Sequence, residues 1–422
     1  MKARLLMPTL PRLRPLLAFA SALFCLAAPA SAAPAPAKAA AVVKRCKAPE
    51  RAKTQACYAA VLEGELGEGP APALALLGEL AALDPNARED GHMYAHRIGI
   101  AALTATADMG RVFASCTPSW QSGCYHGVIQ SYFLLTEKAG GAIDAKSVDA
   151  LCGDYREKRA DLLFQCTHGM GHGLEMLYRY DLPKALAGCD LLSRAFEQEL
   201  CHAGAFMENI VNATQPHSTT PVTGSAEATA SAHAGHGGGH GGHHAAAAST
   251  APAFRALDPK DMHYPCSAVG ERYLMGCYTI QTSAMFHHAG GDVVRVAGEC
   301  MRAPEKAREA CFVSLGRDIS TMALGRNAEA VRLCGLADAA FRAVCNRSVL
   351  EQIVNMNADP AEGTPYCRAV PEADGKGGCY AAVGRQAMVL PGGEAKRAKA
   401  CALAEETMRT VCLTGSEPKN AA

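Results

Sequence analysis

The stretch GGDVVRVAGECMRAPEKAREACFVSLGRDISTMAL, residues 290–324, contains one complete unit of the pattern that decides the fold. A short apolar segment leads to Cys300, and Pro304 then suits the first turn of a new helix. Beyond Cys311 the apolar residues lie three and four positions apart, at Phe312, Leu315, Ile319 and Met322. This spacing is typical of one helix face. The stretch therefore predicts two helices, each carrying one cysteine.

The same couple of cysteines recurs along the chain. Eighteen of the 19 cysteines form nine consecutive couples: Cys46 and Cys57, Cys116 and Cys124, Cys152 and Cys166, Cys189 and Cys201, Cys266 and Cys277, Cys300 and Cys311, Cys334 and Cys345, Cys367 and Cys379, and Cys401 and Cys412. The second members of the last five couples are separated by 34, 34, 34 and 33 residues. A fixed period of this length indicates an internal repeat.

Helix geometry suggests how each couple is arranged. Two cysteines eleven residues apart on one continuous helix would lie about 16 Å apart, whereas a disulfide needs Cα atoms within about 7 Å. If a couple is bridged, the chain must reverse direction between its members. An even set of cysteines in an oxidising compartment favours disulfides, and metal thiolates are the alternative. The sequence contains no Cys-x-x-Cys-His motif, which excludes c-type haem.

A helix-turn-helix period of 34 residues resembles that of the tetratricopeptide (TPR) family, and the internal couples resemble the disulfide-stapled helical repeats that bacteria secrete. The Trp-Leu-Gly-Tyr consensus of TPR units is absent. The resemblance covers residues 46–415 and implies an all-α fold, an α-solenoid of about ten units stapled by disulfides within units. It also implies a surface that binds peptides or partner proteins.

The first residues have the features of an export signal. Basic residues precede the apolar segment 16–28, and Ala30-Ser31-Ala32 matches a cleavage site. A lipoprotein signal at Cys25 is disfavoured by Phe24 before it. We expect a signal peptide (1–32), an Ala/Pro linker (33–45), N-terminal repeats (46–212), a disordered His/Gly-rich insertion (213–258), C-terminal repeats (259–415) and a frayed tail (416–422). The protein would then be periplasmic or secreted.

The charge balance narrows the possible partners. The sequence has 41 basic and 41 acidic residues, and removal of the signal peptide leaves 37 against 41. A nucleic-acid partner is therefore not expected. No later segment is apolar enough to predict a membrane span.

Histidines are concentrated in the N-terminal repeats. Counted from the second cysteine of each couple, position +2 holds His126 and His168, and position +6 holds Gln130 and His172. One unit near residues 68–100 lacks its couple. If Asp90 takes the place of the missing cysteine, the same positions hold His92 and His96. Residues four apart share a helix face, and equivalent positions of stacked repeats line up. We therefore expect these five imidazoles to converge on one patch.

Clustered imidazoles are typical ligands of zinc, copper, nickel and iron. His202 is a weaker candidate because it lies one residue out of register. The alternatives are that the His pairs are ordinary polar residues on the protein surface, or that single histidines lie in the core with their ring nitrogens hydrogen-bonded. Further candidates are the carboxylates Asp90, Glu175 and Glu208 and the thioethers Met93, Met170, Met176 and Met207.

Three glycines among residues 168–173 add a second indication. Glycine in a helix costs about 1 kcal/mol relative to alanine, so close helix packing, a nearby ligand or a local helix break must account for them. The run of histidines at 233–244 is either a spacer or a mobile segment that gathers divalent metal weakly.

Three functions follow from these observations. The first is an exported protein that binds a divalent or copper ion, with copper and zinc favoured. The second is a periplasmic metalloenzyme that uses the same histidines with Glu175 or Asp90 as acid or base. The third is a scaffold without metal, whose partner is another exported protein. The sequence contains no zincin, serine-nucleophile or phosphate-loop motif that would indicate a particular reaction.

Overall fold

The computed structural model describes residues 35–67, 69–141, 143–214 and 254–416. The expected signal peptide, nearly all of the insertion and the last six residues of the tail lie outside these ranges. Within them the chain is all-helical and contains no strand. The helices are α1 (Ala35–Cys46), α2 (Arg51–Gly64), α3 (Ala71–Leu83), α4 (Pro85–Glu89), α5 (Gly91–Thr106), α6 (Met109–Ser115), α7 (Gly123–Lys138), α8 (Ala145–Leu151), α9 (Ala160–Leu177), α10 (Leu182–Cys189), α11 (Ala195–Thr214), α12 (Leu274–Tyr278), α13 (Gln281–Ala289), α14 (Val293–Arg302), α15 (Arg308–Ala323), α16 (Asn327–Cys334), α17 (Arg342–Asn357), α18 (Thr364–Ala369), α19 (Lys376–Val389), α20 (Gly393–Ala402) and α21 (Arg409–Thr414).

Residues 290–324 form the predicted pair of helices. Cys300 near the end of α14 is bonded to Cys311 at the start of α15, across a short 3₁₀ turn.

Every predicted couple is closed as a disulfide, with Cα atoms 5.4–5.8 Å apart. The bonds join Cys46 to Cys57, Cys116 to Cys124, Cys152 to Cys166, Cys189 to Cys201, Cys266 to Cys277, Cys300 to Cys311, Cys334 to Cys345, Cys367 to Cys379, and Cys401 to Cys412. The chain reverses between the two cysteines of each couple, as expected. None of these 18 residues is a metal thiolate, so the disulfide interpretation is confirmed and its alternative is wrong.

The longer helices pack against one another in chain order. In the N-terminal half α5 packs on α7, α7 on α9 and α9 on α11. In the C-terminal half α15, α17, α19 and α21 make the same succession. Apolar side chains fill the space between these helices, among them the fully buried Phe113, Phe206 and Phe312. Helices α5, α7, α9 and α11 are the elements that carry the candidate site.

Aspartate residues start several of the shorter helices. The side chain of Asp292 accepts a hydrogen bond from the amide of Arg295 at the start of α14. Equivalent bonds begin α4, α6, α8 and α10 at Asp84, Asp108, Asp144 and Asp181. Each carboxylate satisfies a backbone donor that has no partner within the helix.

The expected Ala/Pro linker is instead mostly helical. Residues 35–46 form α1, which buries Ala39 and Val42 and packs against α3. Alanine has the highest helix propensity, so an alanine-rich segment with an apolar face becomes a helix once that face is covered. Helix α11 extends to Thr214, two residues past the boundary expected after residue 212. Among the described helices, none combines the length and apolarity that a membrane span requires.

Candidate metal centre

Helices α5, α7 and α9 bring the five predicted imidazoles together. His92, His96 and His126 form one group of three, and His126, His168 and His172 form another. Within each group the potential ligand atoms lie within 4.8 Å of one another. We call these groups the first and second triad. The ring of His126 lies between the two pairs, with its centroid 5.2 Å from that of His96 and 4.4 Å from that of His172.

Close helix packing accounts for the glycines in this region. Helix α9 is continuous through residues 168–173, so the helix does not break there. A Cβ atom on Gly171 would lie 2.0 Å from the backbone oxygen of Cys201, and one on Gly204 would lie 2.0 Å from that of His168. Only glycine allows α9 and α11 to approach this closely.

The same contacts correct the register of the unit without cysteines. A Cβ on Gly127 would lie 2.1 Å from the backbone oxygen of His96, which matches the contact of Gly204 with His168. Both glycines lie three residues after the second cysteine of their unit. His96, and not His92, is therefore the equivalent of His168, and the cysteine position is taken by Tyr94 rather than Asp90. The predicted alignment is wrong by one helical turn because no cysteine marks this unit.

This shift explains the shape of the site. Relative to the register of the units, His92 and His96 lie one turn earlier in α5 than His168 and His172 lie in α9. His126 is consequently in contact range of both pairs, and each pair forms its own triad with it. A strict alignment of the pairs would instead have stacked equivalent histidines in rows.

Oxygen acceptors orient the first pair. The Nδ1–H of His92 donates to the backbone oxygen of Trp120 at 2.7 Å. Nδ1 of His96 lies 3.2 Å from Oε1 of Gln130, whose amide nitrogen is directed to Glu208 at 3.4 Å. This second bond sets the orientation of the Gln130 amide, so that its oxygen faces His96. Both rings then carry their hydrogen on Nδ1, and each Nε2 presents a lone pair.

These two lone pairs face one another. Nε2 of His92 lies 3.1 Å from Nε2 of His96. With both hydrogens on Nδ1, the two Nε2 lone pairs converge, and a cation between the nitrogens would be bound by both. Two ligands of a tetrahedral ion with bonds of 2.0–2.1 Å are separated by roughly 3.3 Å, close to the observed distance.

The second pair repeats part of this arrangement. Nδ1 of His172 lies 2.9 Å from Oε2 of Glu208, and its Nε2 lies 3.3 Å from Nε2 of His168. Tyr180 donates to the other oxygen of Glu208 at 3.3 Å. The carboxylate of Glu208 therefore supports both triads, through His172 and through Gln130.

A proton is a poor candidate for the cation. Burial lowers the pKa of His92 to about 4 and the pKa values of His168 and His172 to about 3. Burial and the neighbouring imidazoles hold the pKa of His126 well below its usual range. Its Nδ1 is buried and has no hydrogen-bond partner among the described residues. Neutral imidazoles are the form that binds metal.

The other candidate residues have different roles. The carboxylate of Asp90 accepts bonds from Arg51 at 2.7 Å and from Gln55 at 2.8 Å. His202 lies outside both triads, and its Nε2 is 2.8 Å from Asp190. Among the thioether candidates, Met170 is fully buried, and Met93 and Met207 pack against the core.

Glu175 lies in α9 and is fully buried. Its Oε1 accepts a hydrogen bond from the Asn209 amide at 2.7 Å. Within the described part of the chain, Oε2 of Glu175 and Oδ1 of Asn209 have no hydrogen-bond partner. Burial raises the pKa of Glu175 to about 8, so it is mostly protonated at neutral pH.

Sequence reasoning misses two of the groups that orient the rings, Gln130 and Trp120, and identifies the third, Glu208, only as a candidate carboxylate. It treats Gln130 only as a substitute for histidine, and it does not single out Trp120 at all. The one available signal for the latter is that the chain has a single tryptophan. A scan against protein-family models and searches of curated proteins and of solved structures found no significant match.

Proposed function

We propose that this protein binds a transition-metal ion, with copper and zinc favoured, in an exported compartment where it stores, buffers or delivers that ion. The observation that carries the proposal is the first pair, in which two Nε2 lone pairs converge while oxygen acceptors hold both Nδ1 hydrogens. Histidines that ligate metals characteristically donate their other ring N–H to such an acceptor. His126 supplies the third nitrogen of each triad. The same proposal takes the repeating units to stack as a disulfide-stapled α-solenoid.

The nine disulfides support the oxidising compartment, because cytosolic thiols are kept reduced. They also leave the described cysteines unavailable as thiolate ligands, which directs the metal to imidazole. Imidazole sites suit zinc, copper, iron and nickel.

The metalloenzyme alternative has less support. Asp90 is bound by Arg51 and Gln55, and Glu175 is paired with Asn209. Neither carboxylate belongs to a triad, and both are held by other side chains. The scaffold interpretation becomes the better one if the histidines bind no metal.

Metal analysis of the oxidised protein, purified without a histidine tag, tests the proposal. We expect one or two equivalents of zinc or copper in the wild type after dialysis, and none in the triple variant that combines His92→Ala, His126→Ala and His168→Ala. His202→Ala is the matched control, since it removes a buried imidazole outside the triads, and it should retain the metal. Deletion of residues 215–253 should also leave it in place.

Retention of stoichiometric metal by the triple variant would refute the ordered site. Loss of all metal on deletion of residues 215–253 alone would assign binding to the histidine-rich run. Circular dichroism of each metal-free variant separates loss of ligands from loss of fold.

A further inference from the structure

A loop beside the first triad contacts a helix far away in the sequence. Residues 119–122, between α6 and α7, lie against the last turn of α17. The amide of Trp120 donates to the backbone oxygen of Met356 at 2.6 Å, and the amide of Gln121 donates to that of Asn355 at 3.1 Å. The hydroxyl of Ser119 reaches the backbone oxygen of Asn357 at 3.4 Å. We call this the closure contact.

The closure contact satisfies groups that a helix end leaves open. The last four backbone oxygens of a helix have no partner within it. α17 ends at Asn357, followed by Ala358 in the left-handed region. A loop more than 230 residues earlier thus supplies amide donors to the end of α17. A side-chain bond from Nε2 of Gln121 to Oε1 of Gln352 at 3.4 Å adds to it.

The loop itself has an unusual backbone. Trp120, Gln121 and Ser122 have φ values of 59°, 51° and 64°, three successive non-glycine residues in the left-handed region. Each such residue costs roughly 1 kcal/mol or more, so the surroundings must hold the loop in place. The Trp120 ring supplies one anchor, because it covers Gly91 so closely that a Cβ there would lie 2.3 Å from the ring.

One peptide group joins the metal centre to the closure contact. The backbone oxygen of Trp120 accepts the Nδ1–H of His92, and the amide in the same peptide group, that of Gln121, donates to Asn355. The chain of bonds runs from imidazole to peptide to the end of α17. Hydrogen bonds arranged in series polarise and strengthen one another.

We infer that the C-terminal half of the chain takes part in the metal site by holding the peptide that orients His92, and that metal binding and the closure contact favour each other. This inference rests on the proposed metal binding. An ion on Nε2 of His92 makes its Nδ1–H a stronger donor, which strengthens the bond to Trp120 and, through the peptide, the bond to Asn355. Coupling between two binding events is reciprocal. The closed contact therefore raises the affinity of the first triad.

Hydrogen exchange of the full, oxidised protein tests the coupling, with zinc as the probe. We expect zinc to slow exchange of the Trp120 and Gln121 amides in the wild type. In His92→Ala the same amides should be insensitive to zinc. His168→Ala is the matched control, because it alters the second triad and should preserve the effect on the loop.

The reciprocal arm weakens the contact and measures zinc affinity with a competing chelator. Gln352→Ala removes the acceptor of the Gln121 side chain and should weaken zinc binding by up to about threefold, because one modest hydrogen bond sets the upper limit of the coupling. Gln352→Glu keeps an acceptor and should restore the affinity. If Gln352 has a purely structural role, both variants should have a lower thermal stability and should not differ from each other in zinc affinity.

The outcomes separate the two proposals. If the wild type binds neither zinc nor copper, both fail; if it binds copper alone, the exchange measurements are made with copper. If zinc binds at the triads while exchange of the loop amides stays unchanged, or changes equally in His92→Ala, the coupling is wrong and the metal site stands.

Discussion

Replacement of Glu175 by glutamine should stabilise the metal-free protein at neutral pH. Glu175 is protonated in the folded state up to a pKa of about 8, whereas the reference value is 4.5. Keeping that proton at pH 7 costs about 3 kcal/mol of the free energy of unfolding. Glutamine carries no such cost, and its amide can still accept from Asn209 and donate to Oδ1 of the same side chain.

The sign of the pH dependence follows from the raised pKa. Below pH 4.5 the carboxyl group is protonated in both the folded and the unfolded protein, so Glu175 does not destabilise the fold. This favourable state is lost as the pH rises to 8. The advantage of Glu175→Gln should therefore be absent near pH 4, grow with pH and level off above pH 8. Urea unfolding at several pH values, with the disulfides intact and a chelator present, measures it.

Glu137→Gln, at an exposed position in the last turn of α7, is the matched control and should change the free energy of unfolding little. A Glu175→Gln protein that is less stable than the wild type at every pH would refute the assignment of a buried, protonated carboxyl group. A stability difference that does not vary with pH would refute it as well.

Three further predictions concern packing, acid and thiols. Gly171→Ala should lower the free energy of unfolding in urea by about 3 kcal/mol or more, because its Cβ meets a backbone oxygen. Gly78→Ala in α3, with open space around it, is the control and should stabilise the protein by up to about 1 kcal/mol. Equal effects of the two substitutions would contradict the close approach of α9 and α11. The metal-free protein should lose stability as the pH falls from 7 to 4, because His168 and His172 have lowered pKa values and stay neutral while the unfolded chain takes up protons. If the triple histidine variant shows the same dependence of stability on pH as the wild type, this explanation is wrong. Thiol titration of the unfolded, unreduced mature protein should find no free thiol among its 18 cysteines, and several reactive thiols would contradict the pairing.

Local patterns in the sequence are sufficient for much of the fold. The spacing of Cys300 and Cys311, with Pro304 between them, predicts the helix pair, because a disulfide within one unit depends on that unit alone. The convergence of the histidines is also predictable in kind, since His168 and His172 share a helix face whatever the surrounding structure.

The remaining features depend on residues that are distant in sequence. Asp90 is a poor reference point for its unit because loop lengths vary between units, and only the contact of Gly127 with His96 shows the true register. Trp120 orients His92 from another unit, and α17 holds Trp120 from the other half of the chain. Neither contact gives rise to a periodic pattern in the sequence.

Glu175 illustrates a different difficulty. Its place in the sequence, three residues after His172, made it a candidate acid or base. Burial against Asn209 decides its charge instead, and burial depends on how α9 and α11 pack.

Every cystine in the described chain joins neighbours in the cysteine order, with partners 8–14 positions apart. A polypeptide emerging into an oxidising environment can thus form each bond as soon as its second thiol appears. Once the expected signal peptide with Cys25 is removed, oxidation in order of emergence would yield the native set. For the same reason the segment between Cys57 and Cys116 can lack a couple without leaving any other thiol unmatched.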